Sequence, residues 1–374
     1  MRRFWLTAIL LLAASAVVAE PFRIATFNAA LTRRGPGVLL QNITEGKDKQ
    51  ITAVSRIIKT VRPDVLLINE LDHDYENLAL KAFLKLLGQD DGAYAGIGYP
   101  YFFAPSQNTG VPSGLDLNGD GKQDGPADAY GYGAFRGQYA MALISRFPID
   151  TLGARNFTTI LWKDAPEAQL PVFEDGKPFP SFAAQEVMRL SSKGHWIVPV
   201  QLPDGRVLQV MASHPTPPVF DGPQNANGMR NADEVLFWDR LLRGGDFSDA
   251  PFVILGDLNS DPIDGDSSHW AIARLLGNPA LQDARPRSRG AEVASEEQGH
   301  ANLAQKGDPK FDTSDWRDDP GPGNLRVDYV LPSKTLKVLD AGVFWPTPDE
   351  AGYGLIGSDG RASSDHRLVW VDLE

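Results

Sequence analysis

Four short apolar runs, each ended by a polar residue, constrain this chain more than any other feature. They are residues 22–27 before Asn28, 65–68 before Glu70, 207–212 before Ser213 and His214, and 252–255 before Asp257. Each is too short for a helix of its own and rich in strand formers, so each reads as a buried strand. The last run is the sharpest. Within residues 251–262 (PFVILGDLNSDP) it breaks at Gly256 and delivers Asp257 and Asn259. Residues two apart on extended chain point to the same side, so a carboxylate and a carboxamide face one spot. An acceptor-only group beside one that both donates and accepts suits water activation or phosphate orientation. The alternative is an ordinary Asp/Asn turn after a strand.

The intervening segments supply helices. Over residues 48–62, Ile51, Val54, Ile58 and Val61 recur at helical spacing, and Arg62-Pro63 stops the helix. Strand, helix, strand with a polar residue at each strand terminus is an α/β unit, in which sites gather at the carboxyl ends of strands. Further helices are expected over 75–87, 229–243 and 269–276. Residues 139–145 (YAMALIS) read as a strand, 196–202 and 207–212 as a hairpin across Pro203-Asp204-Gly205, and Asp175-Gly176 as the turn of another hairpin. Asp328 lies among apolar neighbours at 325–330, where a charge is costly to bury without a partner. Asp365 and His366 precede a closing strand at 368–373.

Charge and composition narrow the function. Of 374 residues, 36 are basic and 48 acidic, a net charge of −12, so no global basic field favours nucleic acid. Phosphate held through a divalent cation is still compatible with that balance. Arg285, Arg287 and Arg289 are the one basic cluster available for a nucleic-acid groove. The absence of cysteine excludes disulfides, thiol catalysis and thiolate metal sites. Residues 1–19 read as a signal peptide: Arg2 and Arg3 precede an apolar Leu/Ala-rich run, and Val17-Val18-Ala19 is a small-residue cleavage site before Glu20. The chain is therefore expected to be exported, periplasmic or extracellular, with no stable membrane span. Residues 20–374 are expected to form a single domain.

Two long loops interrupt the pattern, at 88–138 and 284–323. Inside the first, Asp116, Asn118, Asp120 and Asp124 stand at positions 1, 3, 5 and 9 of a calcium loop, with Gly121 at 6 and the Lys122 carbonyl at 7. Position 12 is Ala127 rather than Glu, and Asp128 is the neighbour available to replace it. A hydrated Asp/Gly turn is the alternative.

In order, Asn28, Glu70, His214, Asp257, Asn259, Asp328, Asp365 and His366 form a series, nearly all at strand ends. The pieces that carry them are ATFN, PDVLLINELD, YAMALISRFPI, ASHPTPP, VILGDLNSDP, RVDYVLPS and SSDHRLVWVDL. Together these resemble the endonuclease/exonuclease/phosphatase superfamily, the group of deoxyribonuclease I, exonuclease III and the neutral sphingomyelinases. The resemblance implies a deoxyribonuclease I-like four-layer α/β sandwich, with two packed, mostly antiparallel β-sheets flanked by helices. It also implies hydrolysis of a phosphate ester with Mg²⁺ or Mn²⁺. By position, Glu70 is the principal metal ligand, with Asn28 and Asp365 completing the shell. Asp328 pairs with His366, Asp257 positions or deprotonates the attacking water, Asn259 holds a phosphate oxygen, and His214 is a candidate general acid. Whether Asp257 or His366 is the base stays open. Arg136 and Gln138, at the end of the 88–138 insert, and Arg230 are candidate substrate contacts, with surface salt bridges as the alternative role of the two arginines.

The first functional expectation is thus an exported, divalent-metal-dependent phosphodiesterase of nuclease type, attacking phosphate by in-line displacement with water. The second is a phosphomonoesterase or phospholipase-type hydrolase on small, lipid or inositol phosphates. A non-catalytic binding module on the same fold ranks below both. The expected partner is a phosphate-ester substrate, nucleic acid or small diester. No protein partner is implied, and the chain is expected to be a monomer. Calcium is expected in the 116–124 loop.

Overall fold

Side-chain alternation sorts the strands of this protein into layers. The computed structural model describes residues 20–374 except 221, 246, 248 and 249. The expected signal peptide lies outside the described residues. Thirteen strands are described: β1 (Phe22–Leu31), β2 (Val65–Leu71), β3 (Tyr101–Phe103), β4 (Met141–Ser145), β5 (Arg155–Asn156), β6 (His195–Gln201), β7 (Val207–Ser213), β8 (Phe252–Asp257), β9 (Ser314–Asp315), β10 (Asn324–Leu325), β11 (Asp328–Pro332), β12 (Val338–Val343) and β13 (Val369–Leu373). Of the two large sheets, one runs β12-β13-β1-β2-β4-β3 and the other β11-β8-β7-β6-β5, while β9 and β10 pair as a separate ribbon. On β8, Val253 and Leu255 pack into the core shared with the first sheet, whereas Phe252 and Ile254 pack the opposite way, with Trp238 and Ile272. β11 does the same, with Val330 inward and Tyr329 and Leu331 outward. That period of two requires a layer on each face of the sheet.

Helices supply the outer layers. They are α1 (Val38–Glu45), α2 (Lys49–Val61), α3 (Leu78–Leu87), α4 (Phe182–Val187), α5 (Ala226–Arg243), α6 (His269–Leu276), α7 (Arg289–Gln298) and α8 (Tyr353–Ile356). The expected helix at 48–62 is α2: Asp48 caps it by accepting from the Ile51 N–H at 3.1 Å, and Arg62 turns left-handed at its end. Its Val54, Ile57 and Ile58 face the first sheet. On the second sheet, α5 packs beside α6, and the Trp238 Nε1–H reaches Ser213 Oγ at 2.9 Å. No described helix is long and apolar enough to cross a membrane.

Strand direction then fixes where chemistry can occur. Each sheet contains one parallel pair, β1 with β2 and β7 with β8. Both pairs need a crossover, which α1 and α2 provide in the first case and α5 in the second. All four carboxyl ends fall at one edge of the sandwich. The antiparallel neighbours β11 and β13 begin at that same edge, with Asp328 opposite Asp257 and Val369 opposite Thr26.

The long segments differ from expectation in one respect. The stretch 284–323 is not a continuous loop: Ser288 Oγ accepts from the Ala291 N–H and starts α7, whose Gly290, Ala291 and Ser295 are buried. Polarity hid this helix, because small residues rather than large apolar ones form its inner face. In the 88–138 segment, Asn108 Nδ2 donates to the Thr158 and Ser191 carbonyls, tying the insert to the end of the second sheet.

Gly256 marks the tightest approach at the functional edge. A Cβ built there would stand 1.9 Å from the Ser213 carbonyl oxygen of β7. Gly256→Ala is expected to lower stability by about 2–3 kcal/mol through forced separation of β7 and β8, measured by urea unfolding. Unchanged stability would show that the two strands have room to part.

Candidate active site

The site is built around one buried oxygen. Asp257 ends β8 at 1% exposure. Its Oδ2 accepts from Asn28 Nδ2 at 3.0 Å and faces His214 Nε2 at 3.3 Å and His366 Nε2 at 3.7 Å. Its Oδ1 accepts the Asn259 N–H at 2.9 Å. Three segments far apart in sequence thus converge on one carboxylate. Burial opposes its ionisation, but His366, His214 and the Asn28 hydrogen bond outweigh that and hold Asp257 well below the usual carboxylate range.

His366 is clamped from its other side. Its Nδ1 lies 2.9 Å from Asp328 Oδ2, which also accepts from Thr313 Oγ1 at 2.8 Å. Thr313 Oγ1 in turn accepts the Val327 and Asp328 N–H groups. Trp316 meets the imidazole edge to face, with centroids 5.4 Å apart. Burial would strip the ring of its proton, yet Asp328 and Asp257 overcome it and raise His366 well above the ordinary imidazole range. His214 goes the other way: burial, then the nearby Lys193, push it down to about 4. At neutral pH His366 therefore carries the proton, while His214 is a neutral donor to Asp257.

The candidate metal ligands sit at kinks in the first sheet. Glu70 and Ala30 both have positive φ, 58° and 48°, and the β1–β2 register shifts between Asn28 and Leu31. The strained backbone turns Glu70 away from ordinary strand alternation. Its half-buried carboxyl is pushed up to about 7 by burial, against the pull of His366 and Lys193. A carboxylate that gains so little from its neighbours suits a hard cation. Asp365, also half-buried, is within electrostatic reach of Glu70. Among the described residues, Asp257, Asp328 and His366 form the one three-residue cluster with metal-ligand spacing. Both His366 nitrogens face carboxylates there, so this trio is an ion-pair relay rather than a ligand set.

Asn259, with φ of 51°, donates Nδ2 to the Pro215 carbonyl at 3.1 Å and stands beside the same cluster. Other expected contacts are placed differently. Arg230 uses Nε and Nη2 on the carbonyls of Leu190, Tyr130, Arg189 and Ser191, a clamp on the backbone rather than an anion contact. Gln138 is buried between Ala134 and Arg33. Arg136 is exposed and lines a cavity of about 400 Å³ with Asp72, His73 and Tyr75, next to the Glu70 strand end. Arg285 and Arg287 line a separate cavity with Lys310, Phe311 and Val338, which none of the site residues enters. In the calcium-like loop, Asp116 accepts from the Gly119 and Gly121 N–H groups, Asn118 from Asp120 N–H, and Asp120 from Lys122 N–H. Asp128, the expected replacement ligand, is buried and accepts from Leu117 and Gly125 N–H. With Asp124, these carboxylates do not form a three-carboxylate cluster among the described residues.

Two residues at this edge carry no motif. Thr313 orients Asp328, and nothing in its sequence context announces it. Lys193, 7% exposed, lies within electrostatic reach of Glu70 and Asp257. Its signal was the β6–β7 hairpin: a residue just before the first strand stands beside those just after the second.

A family model described as Endonuclease/Exonuclease/phosphatase family matches residues 25–366. No curated protein matches the sequence. Among solved structures, the chain is similar to an endonuclease/exonuclease/phosphatase from Beutenbergia cavernae, at 18% identity and a TM-score of 0.51, over 95% of this chain and 71% of that one. It is likewise similar to a beta toxin variant from Staphylococcus aureus with bound magnesium ions, at 15% identity and a TM-score of 0.50, over 94% of this chain and 99% of that one. These likenesses establish the fold, the four-layer sandwich expected from the sequence.

The His366–Asp328 pair gives a pH signature. Because the folded state raises the His366 pKa, its stabilisation is complete below about 6.5 and is lost as pH climbs toward the raised value. Burial raises Asp328 itself to about 6, so Asp328→Asn is expected to cost about 3–5 kcal/mol at pH 7.5, where the pair is ionised, and less at pH 9.5, measured by urea unfolding in EDTA. An equal loss at both pH values would reduce the pair to a neutral hydrogen bond.

Proposed function

Because the chain belongs to the endonuclease/exonuclease/phosphatase family, we propose that it is a divalent-metal-dependent phosphodiesterase acting on small phosphate diesters. The observation that carries this reading is Asp257 Oδ2, shared by Asn28, His214 and His366 at 3.0, 3.3 and 3.7 Å. An ionised carboxylate between one neutral and one charged imidazole can orient an attacking water. Asp257 is the group available for that, since His366 already holds its proton. The His366 imidazolium, fixed by Asp328, offers positive charge to a phosphoryl oxygen, and Asn259 offers its carboxamide. His214 keeps Asp257 in place through Nε2. A cation held by Glu70, with Asn28 and Asp365 beside it, would supply Lewis acidity to the phosphoryl and leaving oxygens. Magnesium is the cation to test first.

The preference for a small diester over a long nucleic acid rests on charge. The Arg285/Arg287 cluster opens onto a cavity apart from the catalytic groups, and the chain carries −12 overall. Export to the periplasm or beyond, after cleavage before Glu20, belongs to the same proposal.

The test is hydrolysis of bis-p-nitrophenyl phosphate, p-nitrophenyl phosphate and plasmid DNA side by side, with Mg²⁺, Mn²⁺, Ca²⁺ or EDTA. Metal-dependent cleavage of the small diester is expected, with His366→Ala lowering kcat by roughly 10²–10⁴-fold. Efficient DNA cleavage would make the enzyme a nuclease, and cleavage of the monoester alone would make it a phosphatase. Activity that persists in EDTA would remove the metal from the mechanism.

A further inference from the structure

We infer that Lys193 is a catalytic residue of this site, its ammonium contacting a phosphoryl oxygen beside Asn259. The inference rests on the phosphoesterase reading and adds a residue to it. Three observations carry it.

Register places the side chain. His195 pairs with Ser213 across the β6–β7 ladder, and continuing that register by two residues sets Lys193 opposite Pro215. The contact is present: Lys193 Nζ lies 3.4 Å from the Pro215 carbonyl oxygen. Asn259 Nδ2 donates to the same oxygen at 3.1 Å, so ammonium and carboxamide stand side by side.

The ammonium is buried but poorly used. It has three donors, and the one bond it makes among the described residues is long. Removing such a charge from water costs several kcal/mol unless a partner compensates.

The obvious structural partner is already satisfied. Glu234 is the strongest attraction on Lys193. Yet its carboxylate accepts Ser192 N–H at 2.6 Å, Ser192 Oγ at 3.1 Å and Thr216 N–H at 2.7 Å, and Arg230 already opposes its charge. Lys193 also lies within electrostatic reach of Glu70 and Asp257. An anion entering between those carboxylates and the ammonium would find two unused N–H donors, and its charge would favour the protonated form that burial opposes at Lys193. A phosphoryl group, gaining negative charge as it is attacked, is the matching chemistry.

The test uses the mature chain and its Lys193→Met variant. Binding of inorganic phosphate is measured by calorimetry, with and without Mg²⁺, beside kcat and KM for bis-p-nitrophenyl phosphate. Phosphate affinity is expected to fall at least about 10-fold and kcat roughly 100-fold, with KM and melting temperature little changed. Unchanged phosphate affinity and kcat in a folded variant would overturn the inference, as would a wild-type protein that binds no phosphate. If Lys193→Met does not fold, Lys193→Met with Glu234→Gln removes both buried charges together. Recovery of activity in that double variant would assign Lys193 a purely structural role. Should the wild type bind phosphate yet hydrolyse no ester, the proposed function fails, while the affinity difference still decides the role of Lys193.

Discussion

One buried carboxylate holds the two halves of this protein in chemical register. Asp257 belongs to the second sheet, and the Asn28 amide that donates to it belongs to the first, so a 3.0 Å hydrogen bond crosses the core at its functional edge. Sheet packing brings these strands together non-directionally, but the bond fixes their offset. Neither side chain could stay buried without the other, because an unpaired carboxylate or amide in the interior costs more than a paired one returns. His214 and His366 extend the same constraint to β7 and to the segment before β13. The packing and the site therefore depend on one another.

Topology supplies the rest. Antiparallel sheets alone would send alternate strand ends to opposite edges. One parallel pair in each sheet brings two carboxyl termini to the same edge, and the facing sheets double that to four. The helices that make those crossovers also cover the outer faces, so the architecture that buries the core also gathers the polar strand ends. Local backbone distortion completes the arrangement at Glu70 and Asn259, whose positive φ values aim side chains that regular strand geometry would misdirect.

This division explains what was legible in the sequence. The strands that carry Asn28, Glu70, His214 and Asp257 at or near their ends were readable because apolar runs of that length admit little else, although β1 and β2 continue past Asn28 and Glu70 to Leu31 and Leu71, and α2 was readable from its apolar spacing. Their convergence came through resemblance, since no local pattern states which strands share a sheet. Thr313 stayed invisible because a threonine orienting a carboxylate leaves no periodic trace. α7 was missed because its inner face is Gly, Ala and Ser. Arg230 misled for a plain reason: from sequence, a guanidinium near a site looks like an anion contact, whereas four carbonyls claim it here. The calcium-like spacing showed which residues could be ligands; the local bonds by which Asp116, Asn118 and Asp120 accept from the loop's own N–H groups were not readable from it.

The placement of His366 has a consequence for biosynthesis. Asn28 sits in the first strand, while Ser364, whose hydroxyl donates to the Asn28 carbonyl at 2.7 Å, is separated from it by 336 positions, and the His366 imidazole lies beyond that. A nascent chain that stops short of residue 366 lacks the proton-bearing group and leaves the flank of β1 bare of β13. On the proposed reading, the site cannot be assembled piecemeal during synthesis: its last groups arrive with the segment that leads into β13, the strand that pairs with β1.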